Sequence, residues 1–266
     1  MKFGICLPKE HCDLAVSAGF DFIELPLGGT LNPGDASDDT ERAVMRSLSV
    51  LSLPVAAFNV FIGSDHPFVG PLVNDGDLKS YVEVGIGRAS RMGATTVGIG
   101  SAGARRIPEG FSRSLALQQI RNFFALVADS AERNNVTATI EFLRPVESNV
   151  LNSCVEAAQI IRQVGSKRLG LLADTWHLDY DEPEYSELIT QIDIVKHVHV
   201  ASPCDRTVPM RGDLEFLKNY FKVLRRGNYG GFISVEGSTE GLLSQLSETR
   251  AVLEDAWTLS AGQIAI

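Results

Sequence analysis

The chain has 266 residues and is 44% hydrophobic, enough apolar material for a sizeable core in one large domain spanning residues 1–266. Its 33 acidic against 24 basic side chains leave a formal net charge of −9, which argues against a nucleic-acid partner, because phosphate binding needs clustered Lys and Arg. The four cysteines, Cys6, Cys12, Cys154 and Cys204, form no CxxC pair, so a reduced, cytoplasmic setting is the expectation. The N-terminal run MKFGICLPKEH is broken by Pro8, Lys9 and Glu10, too early for a signal peptide. No stretch has the apolar length of a membrane span, so no membrane partner is expected.

Short apolar runs alternate along the chain with longer amphipathic ones. FGICL (3–7) and FIEL (22–25) read as strands, followed by a less clear helical pattern over 37–51. PVAAF (54–58), a helix over 79–93, TTVGIG (95–100) and a helix over 112–134 come next. VTATIEF (136–142), a helix over 153–164, LGLLA (169–173) and a short helix near 184–191 follow. IVKHVHV (194–200), a helix over 214–226, GFISVE (231–236) and a helix over 240–260 complete the series. Eight strands alternating with helical segments imply a parallel sheet with right-handed crossovers. Eight such units in this length predict the α/β class and a single (β/α)₈ TIM barrel. A doubly wound open sheet would carry a glycine-rich phosphate turn after its first strand, whereas LPKEH stands there.

Chemistry in such a barrel sits at the C-terminal ends of the strands. Strand five ends in TIEF with Glu141, strand six at Asp174, strand seven in KHVHV with His197 and His199, and strand eight in SVEG with Glu236. Their spacings of 33, 25 and 37 residues are each close to the roughly 30 residues of one βα unit. Any one of these has a plain explanation: a strand-end Glu or Asp can be solvated in a turn, and a strand His can be a hydrogen-bonded core residue. Four at equivalent places point to a shared purpose. Three carboxylates facing one space repel and shift one another's pKa values, and a divalent cation removes that penalty while an imidazole completes its shell. Oxygen-rich ligation with one nitrogen suits Mn²⁺, Mg²⁺ or Co²⁺. His197 and His199 share one face of their strand; His199 is nearer the rim and is the candidate ligand, and His197 lies a layer deeper.

These residues resemble the xylose-isomerase-like barrels, in particular ketose 3-epimerases of the D-tagatose 3-epimerase type. The resemblance runs from FDFIELPL onward and is strongest between Glu141 and Glu236. It implies a metal held by Glu141, Asp174, His199 and Glu236, with Mn²⁺ as the expected ion. It implies that Glu141 and Glu236 are also the acid–base pair, removing a proton α to a carbonyl from one face of an enediolate and returning it to the other. It implies substrate contacts from Glu147 in IEFLRPVE, His177 in DTWH and Arg206, which arrives one residue late. The residues themselves leave these three open. Arg206 lies in a polar loop where Arg211 is an equal anchor, Glu147 could begin a helix, and His177 could pack on Trp176. The implied substrate is a small sugar or sugar-like molecule. Members of that family often form dimers or tetramers, although no motif here sets an assembly.

Three other readings belong to the same superfamily or fold. Endonucleases cutting abasic DNA need extra histidines, but Asp213-Leu214-Glu215 and the end of strand four, GIGSAG, supply none, and His66 beyond strand three is alone. A dehydratase of an inosose or dehydroshikimate would use a similar ligand set, since elimination also begins with an enolate. A non-catalytic sugar-binding barrel would lack an acid–base carboxylate, and both are present. The substrate-selecting loops are less regular: Arg105 and Arg106 could bind a carboxylate or phosphate or be solvated. Phe61 and Phe68 in the apolar stretch 58–72 could line a pocket.

Overall fold

The computed structural model of the protein describes residues 1–178 and 185–262. Eight strands, β1 (Phe3–Cys6), β2 (Phe22–Pro26), β3 (Val55–Asn59), β4 (Thr96–Ile99), β5 (Thr137–Glu141), β6 (Leu169–Asp174), β7 (Val195–Val200) and β8 (Ile233–Val235), pair in sequence order into a closed barrel. Every pairing is parallel, and β1 closes on β8 through Phe3, Gly4 and Ile5 against Ile233, Ser234 and Val235. All six residues of β6 are buried. A parallel strand is covered on both faces, one by the barrel interior and one by helices, which is why LGLLA reads as a continuous apolar run rather than an alternating one.

Among the described residues ten α-helices accompany the strands: α1 (Cys12–Ala18), α2 (Leu27–Leu31), α3 (Asp38–Leu48), α4 (Asp75–Arg91), α5 (Ala102–Arg105), α6 (Arg113–Asn134), α7 (Cys154–Val164), α8 (Ser186–Thr190), α9 (Leu214–Arg226) and α10 (Leu246–Leu259). Side chains of Ser37, Asn74, Ser112 and Ser153 cap the N-termini of α3, α4, α6 and α7, satisfying backbone N–H groups that have no partner within the helix. The sequence reading misses α1, whose seven residues bury only Cys12 and Ala15 and therefore show no usable periodicity. It also starts α4 four residues late, because the polar first turn after the Asn74 cap carries no apolar signal. The short helix expected near 184–191 is α8, with residue 184 outside the described residues.

Two bulge-like register shifts bear on the site. One lies between Ile23 and Glu24 where β2 meets β3, the other between Leu171 and Leu172 where β6 meets β7. Such shifts re-aim the side chains beyond them. After the second, Asp174 stands opposite His199.

Phe61 and Phe68 are wholly buried in the core, Phe68 stacked on Phe123 with centroids 4.0 Å apart and Phe61 edge-on to Tyr81. Both are core residues, and Phe68 also lines a pocket between α4 and α6: the aromatic side chains of these helices draw this stretch inward, and burial of that much apolar area outweighs its position in a loop.

Candidate functional site

Glu141 and Asp174 are the last residues of β5 and β6, His199 is the penultimate residue of β7, and Glu236 directly follows β8. One donor atom from each lies within 4.8 Å of one from every other. The His199 Nδ1 is 3.3 Å from Glu236 Oε2 and 3.8 Å from Glu141 Oε1. Gly100 makes room for this grouping: a Cβ there would fall on the Glu141 carboxylate.

Burial and mutual repulsion set the electrostatics. Burial first, then Glu236 and Glu141, push the Asp174 carboxyl up to about 8. Burial also raises Glu141. For Glu236 burial acts the same way, but His199 and Arg206 outweigh it and hold its carboxyl below the usual range. Burial disfavours charge on His199, yet Glu24 and Glu236 raise it well above an ordinary imidazole. Glu141 Oε1, Asp174 Oδ2 and His199 Nδ1 are buried and lack hydrogen-bond partners. Three carboxylates and one imidazole with converging donor atoms, those of Glu141, Asp174 and His199 unpartnered, are the set a divalent, oxygen-preferring cation requires, so the residues present fit such an ion.

The three expected substrate contacts gather on one side of this cluster. His177 lies in the turn after β6, its Nε2 3.6 Å from Glu141 Oε1 and 3.5 Å from Asp174 Oδ2, and its Nδ1 3.8 Å from Glu147 Oε1. Both its ring nitrogens are buried without a partner, and burial followed by the Arg206 charge lowers its pKa to about 3, leaving a neutral imidazole. Arg206 donates to Glu147 Oε1 and to Glu236 Oε2, at 3.4 and 3.3 Å. Its backbone takes the left-handed φ of 56°, held by Ser238 N–H donating to its carbonyl at 2.7 Å. A non-glycine residue there marks a site the surroundings over-determine. Gly237 permits that approach, since a Cβ would strike the Thr207 backbone. Arg211, the other anchor considered, instead pairs with Asp255 on the surface.

Arg105 neither faces the barrel mouth nor is solvated. It is wholly buried and donates to the carbonyls of Glu141 and Leu151 and to the Ser148 hydroxyl. Arg106 is exposed and donates to the Glu147 carbonyl. Both arginines therefore brace the segment that carries Glu141 and Glu147. His66 packs beside Tyr81, with ring centroids 4.8 Å apart.

Three residues escape the sequence reading. Asn59, the last residue of β3, donates from Nδ2 to Glu236 Oε1 at 2.7 Å. Glu24 on β2 is wholly buried and touches both histidines of β7. Cys6, the last residue of β1, forms with Glu24 and His199 a second group of converging donor atoms. The signal was available, since each ends or nearly ends a strand. A cavity of about 660 Å³ opens beside the cluster, floored by Glu24, Asn59 and Glu236 and walled by Leu7, Pro26 and Val60. Among the described residues no helix is long and apolar enough to cross a membrane.

Known proteins share this architecture. A curated ketose 3-epimerase of Arthrobacter globiformis is 23% identical over 247 residues, covering 90% of this chain and 81% of that protein. A D-psicose 3-epimerase of Enterocloster bolteae is 28% identical over 125 residues, which span 47% of this chain and only 40% of the relative. A crystal structure of D-psicose 3-epimerase with D-tagatose from Clostridium cellulolyticum H10 superposes with a TM-score of 0.78 at 17% identity, covering 98% of this chain and 99% of that one. The family model described as xylose isomerase-like TIM barrel matches residues 12–258, and the chain belongs to that family.

Proposed function

We propose that the protein is a divalent-metal-dependent epimerase or isomerase of a sugar or sugar-like carbonyl compound, with the ion held by Glu141, Asp174, His199 and Glu236. The observation carrying this reading is the convergence of those four donor atoms within 4.8 Å at the strand ends, three of them buried without a partner. The epimerases among the curated relatives support the reaction class. When bound, the cation supplies positive charge that stabilises the negative charge growing on substrate oxygens as a proton leaves the neighbouring carbon. The donor set suits Mn²⁺, Mg²⁺ or Co²⁺, of which Mn²⁺ is the expected ion.

The chain's own residues supply the rest. Glu141 and Glu236 act as the acid–base pair: one carboxylate takes the proton from the carbon α to the carbonyl, the C–H electron pair becoming the C=C bond of an enediolate. The other, in its protonated carboxylic acid form, then delivers its proton to the opposite face, the C=C electron pair becoming the new C–H bond and the carbonyl re-forming. Positioned groups of this kind contribute about 10² to 10⁴ in rate. His177, neutral, presents two unpartnered ring nitrogens to substrate oxygens, Arg206 offers its guanidinium beside Glu236, and Glu147 accepts from a substrate hydroxyl. The adjoining cavity of about 660 Å³ is within the range that takes small ligands.

The test is a panel of free ketoses, inososes and hydroxy-acids with Mn²⁺-loaded protein in D₂O. Deuterium entering the α-carbon without loss of water supports epimerisation or isomerisation, whereas water loss with an ultraviolet-absorbing product identifies a dehydratase instead. Glu141→Gln and Glu236→Gln should each abolish exchange. Full activity in chelated, metal-free protein would end this reading.

A further inference from the structure

We infer that Glu24 is a positioning residue that fixes the imidazole of His199 so that Nδ1, and not Nε2, is the nitrogen offered to the four-residue cluster; this rests on the metal reading of that cluster. The Glu24 carboxylate lies beneath the cluster, wholly buried, immediately past the register shift in β2. Its Oε2 is 2.9 Å from Nε2 of His197 and its Oε1 is 3.0 Å from Nε2 of His199. The two histidines, two residues apart on β7, present rings 5.0 Å apart at 79°, so a single carboxylate spans both. An ionised carboxylate can only accept, so each Nε2 facing it carries the hydrogen. In a neutral imidazole the lone pair then sits on Nδ1. For His199 that atom is unpartnered and is the one 3.3 Å from Glu236 and 3.8 Å from Glu141.

A carboxylate behind a ligating histidine commonly sets its tautomer and orientation, and its loss costs about 10- to 100-fold in metal affinity. Glutamine at position 24 tests this sharply because it has the same shape but one oxygen and one NH₂. It can accept from only one histidine; the other must present a lone pair at Nε2 and hold its hydrogen on Nδ1. If Glu24 merely fills space, the isosteric amide changes nothing at the cluster.

Two measurements decide the matter. First, Mn²⁺ affinity is measured by competition with a chelator for the wild-type chain and for Glu24→Gln, each checked for folding by circular dichroism. A loss of about 10- to 100-fold is expected in the folded variant or, where the amide oxygen stays on His199, in Glu24→Leu, which has no acceptor; an unchanged dissociation constant in both folded variants overturns the inference. Second, wild-type protein carrying ¹⁵N at histidine Nδ1 alone is loaded with Mn²⁺ and examined by electron–nuclear double resonance, a measurement that stands even where Glu24→Gln fails to fold. Strong coupling to the labelled nitrogen is expected. Strong coupling to the unlabelled Nε2 instead overturns the role of Glu24 and leaves the metal site standing. Absence of any histidine coupling overturns both.

Discussion

Asn59 donates to one carboxylate oxygen of Glu236, Oε1 at 2.7 Å, while Arg206 donates to the other, Oε2 at 3.3 Å. Glu236 is therefore held at both oxygens by side chains from β3 and from the loop after β7, far apart in sequence. Hydrogen bonds to a carboxylate favour its charged form, and one such bond contributes about 1.5 to 3 kcal/mol. Asn59→Ala should lower kcat/KM at neutral pH by about tenfold or more, because an interaction of that size is worth at least that factor. It should also move the acidic limb of the pH–rate profile to higher pH. A profile whose acidic limb stays in place would show that Asn59 does not tune Glu236.

Gly100 follows β4 without adopting a positive φ, so its backbone tolerates alanine; what does not tolerate it is the Glu141 carboxylate lying where the Cβ would stand. Gly100→Ala should fold normally and displace Glu141. A misplacement near 1 Å in a reacting group costs about 10² in rate, and the loss should appear in kcat rather than in thermal stability. Gly212→Ala, where nothing lies within 4 Å of a new Cβ, is the control. Equal kcat values for the two variants would refute the clearance argument.

The barrel and its four converging donors are legible in the chain because parallel strands are apolar along their whole length, so a charge ending one stands out. Asp174 after Leu171-Leu172-Ala173 is the clearest case. Asn59 ends VAAFN in the same manner and Glu24 interrupts FIELP two residues before its end, yet strands two and three carry no second polar residue to make a pattern of them. Only the closed sheet brings β2 and β3 across from β7 and β8. Arg206 is one residue out of the expected register, and a left-handed backbone turn, invisible in sequence, points it back to Glu236. Arg105 gives no sign of its burial in the sequence. An arginine in a glycine-rich loop ordinarily belongs to solvent, and its burial follows from three acceptors that the fold assembles around it.

Those acceptors make Arg105 a stability residue. Burial lowers its pKa to about 10, with Glu141 and Glu147 opposing the fall, so it stays charged near neutrality and holds the Glu141 and Leu151 carbonyls. Arg105→Met removes a buried, charge-assisted network at a cost of about 3 kcal/mol. For a chain of this size that is a fall in Tm of roughly 6–12 °C. Arg106→Met, losing one exposed bond to the Glu147 carbonyl, should cost less than about 1 kcal/mol. A Tm unchanged in Arg105→Met, with KM raised instead, would return Arg105 to the role of substrate contact.

The Asp174 carboxyl makes metal-free stability depend on pH in a direction opposite to ordinary ion-paired acids. Its folded pKa, about 8, lies above its unfolded value near 3.9, so the folded state binds the proton more tightly. The stability it contributes is fully present below about pH 4 and is lost as pH rises through 8. Glu141 and His199 are raised too and act with the same sign. Glu24 and Glu236 are lowered, which contributes stability above the ordinary carboxylate range and leaves them silent near neutrality. His177, lowered to about 3, opposes the trend only below about pH 6.5, where the unfolded imidazole takes up a proton. Between pH 6.5 and 8 the chelated protein should therefore lose stability with rising pH, by about 1 to 2 kcal/mol from one group of this kind. An added divalent cation needs the deprotonated carboxylates, so the stabilisation by Mn²⁺ at fixed concentration should grow across the same window. Asp174→Asn removes the titrating group and should flatten the metal-free slope. Melting curves with chelator and with Mn²⁺ over this range check both signs, and a metal-free Tm that rises with pH would show that Asp174 is ionised well below neutrality in the folded chain.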